Sequence, residues 1–318
     1  MPTNPPANAK QRGSALLTVL WLTAALSAIG VAVAHNVRGE TERAGTNVED
    51  VKAVFLARAA IDRAMLYRQW GGDYFKPFTS SFDFDFPAGQ VHVDIIPESA
   101  RLSLSSATPE ELLRLLLALG EPEDRATEVA AAIIDWRTPV SPERPGIFEG
   151  YYLSRVPSFL PPHTSFRENE EMLLVRGITP DLYYGTSLDG SRAGLRDCIS
   201  ASAMGGALDV NFAKREAFVA IGLSPQDAEA IVNRRNVRPF VDYKELEPLQ
   251  QALGPAAARI GFGTPNMVTF RATARVRQPD GKLSDLRRTV AALVKYFRPG
   301  NTLGRQPGPE IVRWYERG

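Results

Sequence analysis

Cysteine is nearly absent from this 318-residue chain. Cys198 stands alone, so no disulfide can form within the chain and stability must come from a packed core, which a 44% hydrophobic composition can supply. A lone thiol of this kind reads as a small buried hydrophobe. Histidine is almost as scarce: His35, His92 and His163 lie far apart, with neither HExxH nor paired Cys/His spacing, which excludes the usual zinc-site patterns. Charge of one sign is missing too. Lys plus Arg total 37 against 36 Asp plus Glu, and a net +1 gives no long-range field to draw nucleic acid or acidic lipid. No nucleophile with a base and no phosphate loop stands out. The acidic pairs Glu110-Glu111 and Glu170-Glu171 fall at helix starts, where the helix dipole favours them, and Asp83 and Asp85 fall in a loop. The chain is expected to have no catalytic activity of its own.

What it does have is a long uncharged run. Ser14 to Ala34 contains twenty-one residues without a charge, about 30 Å at helical rise, the thickness of a bilayer's hydrocarbon core. Ser14, Thr18, Thr23 and Ser27 can return hydrogen bonds to their own helix. Lys10 and Arg12 precede the run and place residues 1–13 in the cytoplasm, a bias that Arg38 and Arg43 weaken. A cleaved secretory signal shares the basic start and apolar core, but its core is shorter. Here the helix continues: Val48, Val51, Val54, Phe55, Ile61 and Met65 recur at helical spacing up to Gly71-Gly72. The pattern predicts a membrane-spanning helix at 14–34 with an amphipathic continuation at 35–70.

The segment Gln11-Arg12-Gly13-Ser14-Ala15-Leu16-Leu17-Thr18-Val19-Leu20-Trp21-Leu22 resembles the prepilin-type leader of minor pseudopilin K of the type II secretion system. The resemblance implies a leader at 1–13, cleavage by a prepilin peptidase after Gly13, and methylation of the new amino terminus at Ser14. Most pilins and pseudopilins carry glutamate at the position of Thr18; its omission is typical of the K-type member. A buried carboxylate in a helical bundle is tolerable when paired with the amino terminus of the subunit above, and costly alone. Thr18 therefore suits a subunit with none above it, at a filament tip.

Beyond Gly72, Tyr74 to Phe86 reads as an aromatic and Asp-rich loop, Gln90 to Ile96 as a strand, and Arg101 to Leu104 as a short second strand. Met267 to Gln278 alternates strictly, Pro279-Asp280-Gly281 is a hairpin turn, and Ser284 to Arg298 returns. These predict one antiparallel head sheet from 71–106 and 262–298, interrupted by a helical insertion at 107–261, with 299–318 as a tail. Thr108-Pro109-Glu110-Glu111 is a capping box, and Thr179-Pro180 and Ser224-Pro225 open further helices alike. A weak repeat matches Leu104 to Ala107, Glu110, Leu112 and Leu115 with Val210 to Ala213, Glu216, Phe218 and Ile221; each copy is followed by a helix ending in arginine, Arg137 and Arg235. The fold class is α+β: a pseudopilin-like helix and small antiparallel sheet with a large all-α insertion of helix-hairpin-helix-like units.

Ile221 to Leu249 resembles such a helix-hairpin-helix unit, and Arg234, Arg235, Arg238 and Lys244 could meet a nucleic-acid backbone. Neutral overall charge and the lack of a G-x-G turn make nucleic acid the weaker reading, in which the chain is a membrane-tethered pilus-like or DNA-uptake protein. The stretches IIDWR, Glu149 to Tyr152, Ser165-Phe166 and Glu170 to Gly177 resemble, in order, those of the K-type insertion domain. That family binds calcium through acids following its Asp-Trp-Arg, which implies Asp135, Glu143 and Glu149 as candidate ligands; Thr138, Pro139, Val140 and His163 occupy other family ligand positions. The resemblance further implies I-type and J-type minor pseudopilins and the major pseudopilin as partners. It also implies a single-pass inner-membrane location with a periplasmic head and a role in exporting folded proteins.

Overall fold

The computed structural model describes residues 11–76, 78–185, 192–247, 254–263, 265–297 and 308–317. The first ten residues of the expected leader lie outside that set. From Gln11 to Trp70 the chain is one helix of 60 residues, α1, about 90 Å long at 1.5 Å per residue. Gly71 and Gly72 end it with φ of 60° and 59°, a left-handed backbone that glycine adopts without Cβ penalty.

Two strands follow, β1 (Ser81–Phe86) and β2 (Gly89–Pro97), and then the insertion opens with β3 (Leu102–Ser103), α2 (Pro109–Ala118) and α3 (Glu123–Arg137). Short helices α4 (Glu149–Leu153), α5 (Pro180–Tyr184) and α6 (Leu195–Cys198) lead into β4 (Ile199–Ser200) and β5 (Leu208–Asp209). The helices α7 (Arg215–Ala220) and α8 (Pro225–Val237) and the strand β6 (Ile260–Gly261) complete it. The chain returns to the head through β7 (Met267–Val276), β8 (Arg288–Lys295) and β9 (Glu310–Arg317). Strand order is β1-β2-β7-β8-β9, antiparallel throughout.

Three expectations are corrected here. Residues 81–86 are not loop but the edge strand β1: Phe82, Phe84 and Phe86 alternate with Asp83 and Asp85, and Phe84 is buried against α1's side of the sheet. Asp is a poor strand former, which hides the period-two pattern. Residues 299–318 are not merely a tail, because Glu310–Arg317 adds the fifth strand, with Ile311 and Trp314 packed on the head core. The strand near Arg101 does not join the head sheet; Leu102–Ser103 pairs parallel with Ile199–Ser200 inside the insertion. A second such pair joins Leu208–Asp209 to Ile260–Gly261, so two two-residue parallel ladders lie among the helices of the insertion.

Local signals place the helices. Thr108 caps α2 in a reciprocal box, Glu111 N–H donating to Thr108 Oγ1 at 3.2 Å and Thr108 N–H to Glu111 Oε2 at 2.9 Å. Thr179 and Ser224 cap α5 and α8, each followed by Pro at the first helical position.

The hydrophobic core is double. One cluster lies in the insertion from Ala100 to Ile260; the other joins α1 to the sheet. The face that α1 buries differs from the expected stripe. Ala53, Ala57, Ala60 and Ala64 are fully buried beside Ile61 and Met65, whereas Val48, Val51 and Phe55 are more than half exposed. Opposite lie Ala272 and Ala274 of β7 and Ala292 of β8, also fully buried. Alanine on both sides lets the helix lie close to the sheet, so size rather than hydrophobicity selects the buried face. Polar contacts fix the same register: Arg288 pairs with Asp50, and Ser284 Oγ donates to Glu49 at 3.0 Å. Ala60→Leu is expected to destabilise the head by about 1–3 kcal/mol through overpacking, read as a lowered urea midpoint of the detergent-solubilised chain, while Val51→Leu leaves that midpoint within error.

Candidate functional site

Two parts of the molecule are candidates for function: the bare half of α1 and the insertion. Every residue from Ala15 to Ala34 is exposed, including Leu16, Leu20, Trp21, Leu26 and Ile29. By length and composition this helix can cross a membrane. Two of its hydroxyls are satisfied within the helix: Thr18 Oγ1 donates to Ala15 O at 2.8 Å and Thr23 Oγ1 to Leu20 O at 2.9 Å. Gly13 and Ser14 lie in the first helical turns.

In the insertion the weak sequence repeat becomes an atomic one. Arg137, ending α3, donates to the carbonyls of Leu104 and Ala107. Arg235, near the end of α8, donates to those of Val210 (3.0 Å) and Ala213 (2.6 Å), the residues that the repeat sets equivalent to Leu104 and Ala107. Each guanidinium thus closes a strand-helix-helix unit by satisfying carbonyls that no helix or ladder serves. Burial pushes both guanidinium pKa values down from the ordinary arginine range. The terminal arginine in each copy was the available sequence signal for this clamp.

The clamp decides what the second unit can offer nucleic acid. Arg235 is committed to carbonyls, Arg234 pairs with Glu245 and lies 3.7 Å from the Phe240 ring centroid, and Arg238 meets Glu245 at 3.4 Å. Three of the four basic residues considered for a phosphate backbone therefore serve the fold.

The calcium candidates do not assemble. Asp135 is buried and takes Ile147 N–H on Oδ1 (2.8 Å) and Phe148 N–H on Oδ2 (3.4 Å). Glu149 accepts from Gly146 N–H at 3.1 Å, and His163 sits between the two, its Nδ1 3.0 Å from Asp135 O and its Nε2 3.8 Å from Glu149 Oε1. A Cβ at Gly146 would stand 2.6 Å from His163 Cε1, so glycine admits the ring. Glu143 accepts instead from Ser141 Oγ at 2.8 Å. Calcium takes six to eight oxygens. Among the described residues no group of three or more His, Cys, Asp or Glu converges to hold a metal, so Asp135, Glu143 and Glu149 do not fit that ion. Trp136, stacked on Phe166 with centroids 6.1 Å apart, and the His163 ring hold this region by packing and hydrogen bonds.

Two buried titratable groups stand out. Burial pushes the Cys198 thiol pKa far up, which makes it inert. Asp209 of β5 is raised by burial to about 7, with the Asn211 N–H bond and the Arg235 charge opposing. A carboxyl whose folded pKa exceeds its unfolded value of about 3.9 stabilises the fold below that unfolded pKa, and the contribution is lost as pH rises through about 7. The unfolding midpoint of the insertion, followed by fluorescence of buried Trp136, is expected to fall between about pH 4 and 7, and Asp209→Asn to flatten the fall. An equal slope in both proteins would contradict the assignment.

Comparison with known proteins bears on the same region. The family model described as type II secretion system (T2SS), protein K, matches residues 98–185, from the end of β2 through α5. No curated protein matches the chain in sequence. Among solved structures, a chain of the GspK-GspI-GspJ complex from the enterotoxigenic Escherichia coli type 2 secretion system shares the fold, with a TM-score of 0.58 at 17% identity. The match covers 89% of this chain and 99% of that one. Residues 98–185 are thus similar in sequence to the protein K family model, and the long helix, antiparallel sheet and helical insertion around them share the fold of the solved complex chain.

Proposed function

We propose that the chain is a minor pseudopilin at the tip of a type II secretion pseudopilus. In this reading Ser14–Ala34 anchors it once in the inner membrane, the head and insertion are periplasmic, and the assembly supports export of folded proteins. A prepilin peptidase removes residues 1–13 after Gly13, and Ser14 becomes the methylated amino terminus. Residues 35–70 continue the helix, 71–97 and 262–298 with the β9 segment form the head, and the segment between them, from β3 on, forms the insertion.

The observation that carries this reading is the bare face of α1. Its apolar half is wholly exposed, and the exposure continues beyond the bilayer length as Val48, Val51 and Phe55, spaced along one side of a helix whose other side is occupied by the sheet. A helix so divided offers one face to its own head and one to neighbouring helices. Ala24, Ala25, Ala28 and Gly30 permit close approach within a membrane, and a Cβ at Gly30 would meet nothing within 4 Å. The solved relative is a complex of GspK with GspI and GspJ, which favours I-type and J-type minor pseudopilins, with the major pseudopilin below, as the neighbours. The bound hydroxyl of Thr18 offers no charge to a subunit above. The role is structural, without chemistry of its own.

Thr18→Glu places in the bilayer a carboxylate that costs about 2.5–3.5 kcal/mol when unpaired. Co-purification with I-type and J-type pseudopilins and secretion by the complemented strain are both expected to drop. Wild-type levels of both would mean that a subunit sits above this one to pair with the new charge, contrary to a tip position.

A further inference from the structure

Between the insertion and the outer face of the head sheet lies a cleft of about 340 Å³. Strand register builds its floor. Arg271 of β7, Ala291 of β8 and Tyr315 of β9 pair in one row across the sheet, on the face turned away from α1. The methyl group of Ala291 between two long side chains leaves the space, and Leu293 extends the floor. From the insertion side come Arg101, Asn169, Tyr183 and Arg196.

The cleft is rich in donors and poor in acceptors. Arg101 is 8% exposed and its Nε is buried without a hydrogen-bond acceptor among the described residues; the buried Arg196 Nε likewise has none, its nearest carboxylate oxygen being Asp197 Oδ1 at 3.9 Å. No hydrogen bond or close ion pair reaches Arg271 among those residues. Burial and the nearby Arg101 charge push its pKa down. The carboxylates near it act on it only through space and each has other partners, Asp197 among them lying 3.9 Å from Arg196 Nε. Glu98 accepts from Ser200, from Thr269 at 2.6 Å and from Arg101 at 3.5 Å. Asp94 lies 3.3 Å from His92 Nε2, and Asp197 accepts from Gly194 N–H at 3.1 Å. Ala201 N–H donates to Asn169 Oδ1 at 2.7 Å, which leaves the Asn169 amide donors for the cleft. Against three guanidinium groups the wall holds two carboxylates, Glu98 and Glu170. Buried donors without acceptors are costly, so a ligand that supplies acceptors is favoured there.

We propose that this cleft binds an organic carboxylate, its anionic group held by Arg271, Arg196 and Arg101 and its carbon skeleton resting on Leu293, Tyr183 and Tyr315. Guanidinium forks match carboxylate geometry in pairs of parallel hydrogen bonds. The apolar and aromatic wall distinguishes such a ligand from a bare inorganic anion, which gains nothing from it. The site stands apart from the bare face of α1 and does not depend on the assembly role.

Isothermal titration of the full chain in detergent, with citrate as the probe and inorganic phosphate in parallel, tests this. Saturable citrate binding is expected, with phosphate at least about tenfold weaker and citrate weakened about tenfold or more by Arg271→Gln, the scale of losing a charge-assisted pair. Arg196→Gln, on a more exposed side chain, is the second variant should Arg271→Gln fail to fold, and is expected to weaken citrate in the same direction. No saturable heat with citrate, equal affinity in a folded variant, or phosphate binding as tight as citrate would each overturn the proposal.

Discussion

An uncharged helix as long as a bilayer's hydrocarbon core is thick is poorly suited to water. Each large aliphatic side chain of the 15–34 stretch is worth about 1.5–3 kcal/mol when removed from solvent, and all of them are exposed in the isolated chain. Lipid or other helices must cover them. The hydroxyls of Thr18 and Thr23 are already bonded within the helix, so the segment presents nothing that would resist an apolar surrounding. The other features of α1 follow from serving two environments at once. Its second half uses small alanines to sit close on the sheet and leaves valine and phenylalanine outside, the reverse of an ordinary core helix.

The head and insertion keep separate cores and meet through polar contacts. Glu98, at the end of β2, is the central one: its buried carboxylate takes Thr269 of the head sheet, Ser200 of the insertion and Arg101 between them. A carboxylate in that position costs much if any partner is removed, which makes the junction specific rather than merely adhesive. Within the insertion, a single device is used twice. An arginine at the end of the second helix closes each unit on two carbonyls of its opening strand and turn, and no metal is needed for that closure.

Much of this was legible in the sequence, for identifiable reasons. The apolar run, the Thr-Pro and Ser-Pro caps, and the strict alternation of Met267 to Gln278 are local signals, and local physics places α1, α2, α8 and β7. The edge strands escaped notice because β1 alternates Phe with Asp and β9 follows a long segment after β8, so that each is a strand only by pairing. The buried side of α1 was misjudged because large apolar residues mark a hydrophobic stripe, whereas here close approach favoured alanine. The partner of β3 is about a hundred residues away and has no periodic signal at two residues' length. Of the candidate ligands, Asp135 and Glu149 do come near one another, around the His163 ring and with their oxygens accepting from backbone N–H groups. The arginine clamps were visible as a repeat, but their role required seeing which carbonyls were left over.

The central claim is that α1 is an assembly helix released by prepilin processing. The measurement closest to it is mass spectrometry of the amino terminus of the chain purified from a membrane that carries the secretion machinery. A mature protein beginning at methylated Ser14 is the predicted result; a chain beginning at Met1, or cut near Ala34 as a secretory signal would be, would contradict it.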